Sequence, residues 1–396
     1  MNLLQEINKA RSGDIITIPF EHNKLSRYIF MGKGLYHLIG GAGGSGKSAW
    51  IDLNYAVGPT KWYFDHGKEQ GVKLQIILRS LERNKERRKA KWVCMYLYRT
   101  YGILIDTSSL IGWGPKKSRI TDELYELIME AYDWATSLEE VVEIVDGIEN
   151  PTGIYKHFAK RMLEQGTLYY YKKLRKQEGE DEYIFIKETS KGEVKAHESE
   201  CPSATHYQPV YVPDDPDKIV IGIVDHLQAM KNEQNFSDKK NLDKMSEYTR
   251  ILRDLFGMSE VIVSQMNRNI ADTFRRVKTD LLPEDKDFSG SSNMYNDCDM
   301  AGILFNPYKY KVSDVVGFKP EKCLSEHNIN RFRSFHLLKN SYGPDNQIFG
   351  YQFIGENGLF KELPSPKDMN DAIYASLRDP KREQLIVNYT ADNGTT

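Results

Sequence analysis

The chain has 396 residues, 40% of them hydrophobic and 28% charged, which is enough apolar mass for a packed core and excludes wholesale disorder. Its 54 basic and 56 acidic side chains leave a net charge of −2, which excludes a blanket, histone-like affinity for nucleic acid but not a local basic groove. No apolar run approaches the roughly 20 residues that span a bilayer, and Met1–Glu6 has neither the basic nor the apolar part of a signal peptide. Cys94, Cys201, Cys298 and Cys323 are scattered, with no CxxC pair. The expectation is a reduced, cytoplasmic protein without membrane association or structural zinc.

In chain order, Leu3, Leu4 and Ile7 give a short amphipathic stretch, and Ile15–Phe20 reads as extended through its β-branched content. Tyr36–Ile39 reads as a buried strand running into glycine-rich sequence, and helical patterning resumes over Ser48–Leu53. Val72–Leu78 is the next expected strand, followed by a very basic helix from about Arg79 to Leu97. Helices are expected near 120–135 and 152–165, the second opened by Asn150 as cap and Pro151 in the first turn. Residues 167–215 differ: Tyr169–Tyr171, Glu182–Ile186 and Gln208–Val212 are strand-like between charged turns, and read as a polar β insertion within the domain. Ile219–Val224 is a continuous apolar run ending in Asp225, as in a parallel strand covered on both faces. A helix over about 241–257 leads to Val261–Ser264, and Ala301–Phe305, Ser334–Leu338 and Gln347–Phe353 follow. Strands alternating with helices predict an α/β fold with a mainly parallel sheet and a late antiparallel portion, and a disordered end after about Thr390.

Gly41-Ala42-Gly43-Gly44-Ser45-Gly46-Lys47-Ser48 fits G-x-x-x-x-G-K-[ST] between a predicted strand and a predicted helix, the context that motif requires. Glycines let successive backbone N–H groups curl around a phosphate, and the helix N-terminus adds partial positive charge. Lys47 would reach the β- and γ-phosphates, and the Ser48 hydroxyl would ligate Mg²⁺. Asp225, at a strand end, is placed to hold the Mg²⁺ water shell, although an Asp there can also simply cap the next turn. Glu82, in Ser80-Leu81-Glu82, could polarise the attacking water from the end of a strand beside the glycine-rich loop, or sit in a solvated helix N-terminus. Gln265 ends another strand and could touch the γ-phosphate.

Together these pieces resemble the ATPase domain of DnaB-type replicative helicases, a RecA-like P-loop NTPase core, over about residues 30–355 excluding 167–215. Gly41–Ser48, Ser80–Glu82, Asp225–Met230, Ser264–Arg268 and Lys339 with Gly343-Pro344 occur in that family's order, and Phe288–Asp299 resembles the stretch before its next core strand. The resemblance implies three parts: a short N-terminal helix and linker (1–30), the ATPase domain (31–365) and a C-terminal tail (366–396). It implies ATP and Mg²⁺ as cofactors, Glu82 as general base, Asp225 ordering the metal, and Gln265 sensing the γ-phosphate. It also implies a homo-hexameric ring moving 5′ to 3′ on single-stranded DNA at a fork, in company with primase, a loader or a polymerase. The DNA-contacting loops would follow the Asp225 and Gln265 strands: Lys231–Asn241, with Lys231, Lys239 and Lys240, and Asn269–Lys286, with Arg275, Arg276 and Lys278. The basic run Arg83–Lys91 can equally be an exposed helical face.

Two departures stand out. The family carries an Arg two positions after the lysine that Lys339 resembles, and that Arg reaches the neighbouring subunit's γ-phosphate; here the position is Ser341. Lys339 would act alone as a point charge, since Arg331 and Arg333 are expected too far along the strand to substitute. Only about 30 residues precede the core, so no N-terminal helical collar is expected, an arrangement that looks like a bacteriophage-encoded version. A RecA/RadA-type recombination ATPase is the nearest alternative, and a nucleotide-dependent DNA-binding or loading factor with weak hydrolysis the other.

Overall fold

The computed structural model describes residues 3–13, 15–82, 84–113, 120–174, 182–267, 281–288 and 292–378. Thirteen strands are found among them: β1 (Tyr36–Gly41), β2 (Leu74–Ser80), β3 (Val142–Asp146), β4 (Gly166–Leu174), β5 (Glu182–Thr189), β6 (Gly192–Lys195), β7 (Val210–Pro213), β8 (Ile219–Asp225), β9 (Ser259–Val263), β10 (Met300–Phe305), β11 (Phe332–Asn340), β12 (Gln347–Ile354) and β13 (Leu359–Glu362).

Nine of them form one sheet in the order β13-β12-β11-β10-β1-β9-β8-β2-β3. From β10 to β3 every neighbouring pair is parallel, and β11, β12 and β13 extend the β10 edge as an antiparallel meander. β1, β8, β9 and β10 are buried along their whole length, because helices cover both faces; their runs of Ile, Leu and Val therefore show no alternation. One core lies on the face with Trp50, Trp92 and Phe335, the other on the face with Tyr36, Phe158 and Met245.

The insertion between helix Pro151–Leu163 and β8 is a four-stranded antiparallel sheet, β6-β5-β4-β7, with a small core of Phe185, Cys201 and Ala204. Tyr211 ties it to the main body, donating its hydroxyl proton to the Met162 carbonyl (2.7 Å) and packing on Phe256.

Local details correct the sequence reading. β2 continues through Arg79 and Ser80, and the basic helix starts only at Lys85, where the Asn84 side chain accepts from the Arg87 N–H (3.0 Å). Residues 47–67 form one helical run in which Asp52–Val57 and Tyr63–Gly67 are wide π turns. β3 and β13 were not anticipated. Within the stretch expected as a C-terminal tail, Asp371–Arg378 is helical, with Tyr374 and Leu377 buried against Val315, Phe318 and Phe332. No helix among the described residues is long and apolar enough to cross a membrane, and the four cysteines are free and buried.

A candidate nucleotide site at the strand ends

β1 ends at Gly41 and the chain turns through the glycine-rich loop into the helix that begins at Lys47. The loop needs its glycines for identifiable reasons. Gly46 has φ 96° and Gly44 φ 77°, both in the left-handed region, and a Cβ on Gly46 would stand 2.9 Å from the Phe353 and Phe360 rings. Lys47 is buried and folds back over the loop, donating to the carbonyls of Gly41 (2.7 Å) and Ala42 (3.2 Å). Burial lowers its pKa, while the nearby carboxylates of Asp225 and Glu82 act in the opposite direction.

Parallel pairing brings the other expected groups to the same edge. Asp225 ends β8, and its Oδ1 lies 3.5 Å from the Ser48 hydroxyl. Glu82 lies just past the end of β2, whose Ser80 is in register with Asp225. The strand carrying Glu82 is not beside β1, as expected from the sequence; β9 and β8 lie between them. Gln265 follows β9, the strand between the loop strand and the Asp225 strand. Ser45, Lys47, Ser48, Glu82, Asp225 and Gln265 thus gather from the ends of β1, β2, β8 and β9.

Three further side chains complete the arrangement. Arg88, which the sequence allows on a solvated helical face, is 2% exposed and donates to Asp225 Oδ2 (2.6 Å), Asp52 Oδ1 (2.6 Å) and Ser80 Oγ (3.0 Å). Asp225 therefore presents one oxygen to Ser48 and gives the other to Arg88. His226 places Nε2 3.4 Å from Glu82 Oε2 and 3.5 Å from Gln265 Nε2, so it stands between the two. Gln228 accepts from the Gln265 backbone N–H (2.9 Å) and donates to Ser264 Oγ (3.2 Å), joining the turn after β8 to the end of β9. Arg87-Arg88 looked like any charge run, and His226 and Gln228 sat inside a motif; the strand-end position of Asp225-His226-Leu227-Gln228 was the one available signal.

The expected finger region lies elsewhere in the same chain. Lys339 pairs with Ala301, which pairs with Leu38, three residues before Gly41 and so roughly 10 Å back along the sheet. Its ammonium donates to the carbonyls of Tyr295 and Asn296, each at 2.8 Å. Ser341 lies beyond it, its N–H on the Asp299 carbonyl. Arg331 is forked onto Glu356 (2.8 and 2.9 Å). Arg333, by contrast, reaches the glycine-rich loop of its own chain: Nε donates to the Ser45 carbonyl (3.2 Å), the guanidinium lies over Phe353, and burial lowers its pKa to about 10.

Of the expected DNA contacts, Lys231 is exposed on the turn after β8. Lys239 and Lys240 are also exposed, but in the first turn of helix Asp238–Asp254 rather than on a loop, because Ser237 caps that helix onto Lys240 N–H. A cleft of about 1000 Å³ opens here, lined by Gln228, Met230, Lys239, Asn241, Asn267 and Tyr295 among others. Arg275, Arg276 and Lys278 lie outside the described residues.

A mainly parallel sheet with a glycine-rich loop, a strand-end acid and an interposed strand is a RecA-like fold, and solved structures share it. The ATPase domain of G40P aligns with a TM-score of 0.58 at 16% identity, over 91% of this chain and 97% of that one. A DnaB-like replicative helicase, described with its interactions with primase, aligns at 0.59 and 16% identity, over 91% of this chain and 68% of the other. At such identity the likeness is one of fold. No protein-family model and no curated protein matches the sequence.

Proposed function

We propose that this protein is an ATP-driven DNA helicase of the DnaB type, which moves 5′ to 3′ on single-stranded DNA and parts a fork. The observation that supports this best is the gathering of Lys47, Ser48, Glu82, Asp225 and Gln265 at the ends of four strands of one sheet. The Ser48 hydroxyl and Asp225 Oδ1 are an all-oxygen donor pair, which suits a hard divalent cation. Ser48 would hold Mg²⁺ and Asp225 its water shell; when bound, the ion neutralises phosphate charge. Glu82 takes a proton from water as the water oxygen bonds to the γ-phosphorus. The bond to the leaving ADP oxygen breaks, giving ADP and inorganic phosphate. Lys47 exchanges its carbonyl partners for phosphate oxygens, and Gln265 reads the γ-phosphate through its amide. Gln228 ties Gln265 to the turn leading to Lys231, a route from phosphate state to the basic loops. Lys231, Lys239, Lys240, Arg275, Arg276 and Lys278 bind strand phosphates without regard to sequence. A homo-hexamer with sites at subunit interfaces, and a primase or loader as partner, belong to the same reading.

The test is ATP hydrolysis with and without single-stranded DNA, beside unwinding of a 5′-tailed fork. Glu82→Gln should lower kcat by about 10²–10⁴-fold while nucleotide binding survives. Hydrolysis that ignores single-stranded DNA would refute the helicase. The tethering of Lys339 to two carbonyls favours a second reading, a loading factor with weak hydrolysis; filaments in electron micrographs would instead favour a recombination ATPase.

A further inference from the structure

The position that should supply a cation to the γ-phosphate holds Ser341, and Lys339 is spent on Tyr295 and Asn296 at the far end of its strand. A different cation stands at the glycine-rich loop. After β10, the neighbour of β1, the chain makes a tight turn over Pro307–Tyr310, and the Lys309 ammonium lies 3.0 Å from the carbonyl oxygen of Gly43. The turn is held firmly: Pro307 is buried, Tyr310 stacks on Phe305 at 5.3 Å, Val312 N–H closes onto the Pro307 carbonyl (3.0 Å), and Lys311 leaves with φ 59°. Lys309 itself is exposed, and no carboxylate among the described residues pairs with it. Burial is the main cause of the lowered Lys47 pKa, and repulsion from Lys309 acts in the same direction. Two ammonium groups therefore flank a loop whose Gly43 has open space where a Cβ would be. Such a pair is unfavourable in an empty site and favourable once a polyphosphate lies between them.

We propose that Lys309 is a catalytic residue acting in cis, its ammonium moving from the Gly43 carbonyl to the γ-phosphate oxygens and doing the work that an arginine from a neighbouring subunit would do. This rests on the ATPase reading above. The ammonium keeps its protons throughout; it balances charge on the equatorial oxygens while Glu82 accepts the proton from water and ADP leaves. As a compact point charge it lacks the fork of an arginine, so a smaller share of the 10³–10⁵ attributed to arginine fingers is expected.

The experiment compares wild type with Lys309→Ala and Lys309→Arg, measuring kcat together with equilibrium binding of ATP, ADP and ADP–aluminium fluoride. Lys309→Ala should lower kcat by about 10²-fold or more and weaken the fluoride complex by a similar factor, with ADP affinity changed by less than about threefold. Lys309→Arg should restore most of both. Unchanged kcat and unchanged analogue binding in Lys309→Ala would overturn the proposal. If the wild type hydrolyses nothing, the ATPase reading fails separately, and the loss of ATP-over-ADP preference in Lys309→Ala still decides whether Lys309 faces the γ-phosphate. Mixing Lys309→Ala with Lys47→Ala protein tests the geometry: no recovery of activity supports action in cis, and recovery overturns it.

Discussion

At Glu260, in the middle of the sheet, both carboxyl oxygens are buried and have no hydrogen-bond partner among the described residues. The register sets Glu260 between Tyr36 of β1 and Gly222 of β8, and a Cβ on Gly222 would stand 2.8 Å from both oxygens. Gly222 thus provides the room the carboxyl group occupies. Burial raises the pKa well above the ordinary carboxylate value, so the group is held neutral. The sign follows from linkage. Below the unfolded-state pKa both states are protonated and folding carries no proton cost; as pH rises past it the unfolded chain ionises, the folded one does not, and stability falls until the folded-state value is reached. Glu260→Gln is neutral in both states. Its Tm should match wild type near pH 4 and exceed it by roughly 3–8 °C at pH 8, measured by calorimetry. A gain independent of pH would reject this account. Such a residue was illegible in Met258–Ser264, where one Glu in an apolar strand marks nothing. The placement of Lys47 and Ser48 at a strand-to-helix turn, in contrast, is legible because a loop eight residues long sets it.

Between elements, Arg88 is the joint. It comes from the helix beginning at Lys85 and binds Asp52 in the first π turn, Ser80 at the end of β2 and Asp225 at the end of β8. The π turn has a use here, since it contains the carboxylate that anchors the guanidinium. Burial raises the Asp52 pKa and the Arg88 charge opposes that rise. Arg88→Ala leaves two buried carboxylates facing each other without their cation, and should destabilise the fold by about 3–5 kcal/mol in urea melts. Arg88→Ala with Asp52→Asn should recover part of that loss, and a strictly additive double variant would argue against the joint. The periodicity of residues 85–101 predicts a helix correctly, but which face turns inward is decided by what it packs on. For that reason Arg88 reads as solvated and proves central. β3 was missed for a related reason: Val141-Val142-Glu143-Ile144-Val145 is short, and its strand character depends on pairing with β2.

For the whole molecule, the parallel order, the insertion and the antiparallel end were all legible, because alternation of strand and helix is a long-range pattern carried by many residues. Strand order was not: nothing in the sequence puts β9 and β8 between β1 and β2, and only that order brings Glu82, Asp225 and Gln265 together. The antiparallel meander is the less obvious part. Phe353 and Phe360 stack at 4.4 Å behind Gly46, Arg333 braces Ser45 over Phe353, and Tyr351 and Phe360 pack edge-on against Trp50 of the loop's helix. Phe360→Ala should cost about 3–5 kcal/mol of stability and weaken ATP binding, although Phe360 lies outside the motif. Isothermal titration beside a thermal melt would check both, and unaltered ATP affinity would count against a role for this aromatic packing in shaping the loop.

The meander also changes what counts as a complete domain. A chain cut after Pro344 would retain the glycine-rich loop, both strand-end acids, Gln265, Lys309 and the Lys339–Pro344 segment, so a motif search would score it as whole. It would have lost the aromatic backing that holds Gly46 in place. For this fold, possession of the signature residues and possession of the packing that shapes their loop are separate inheritances, and the second is written in some twenty residues downstream that carry no signature at all.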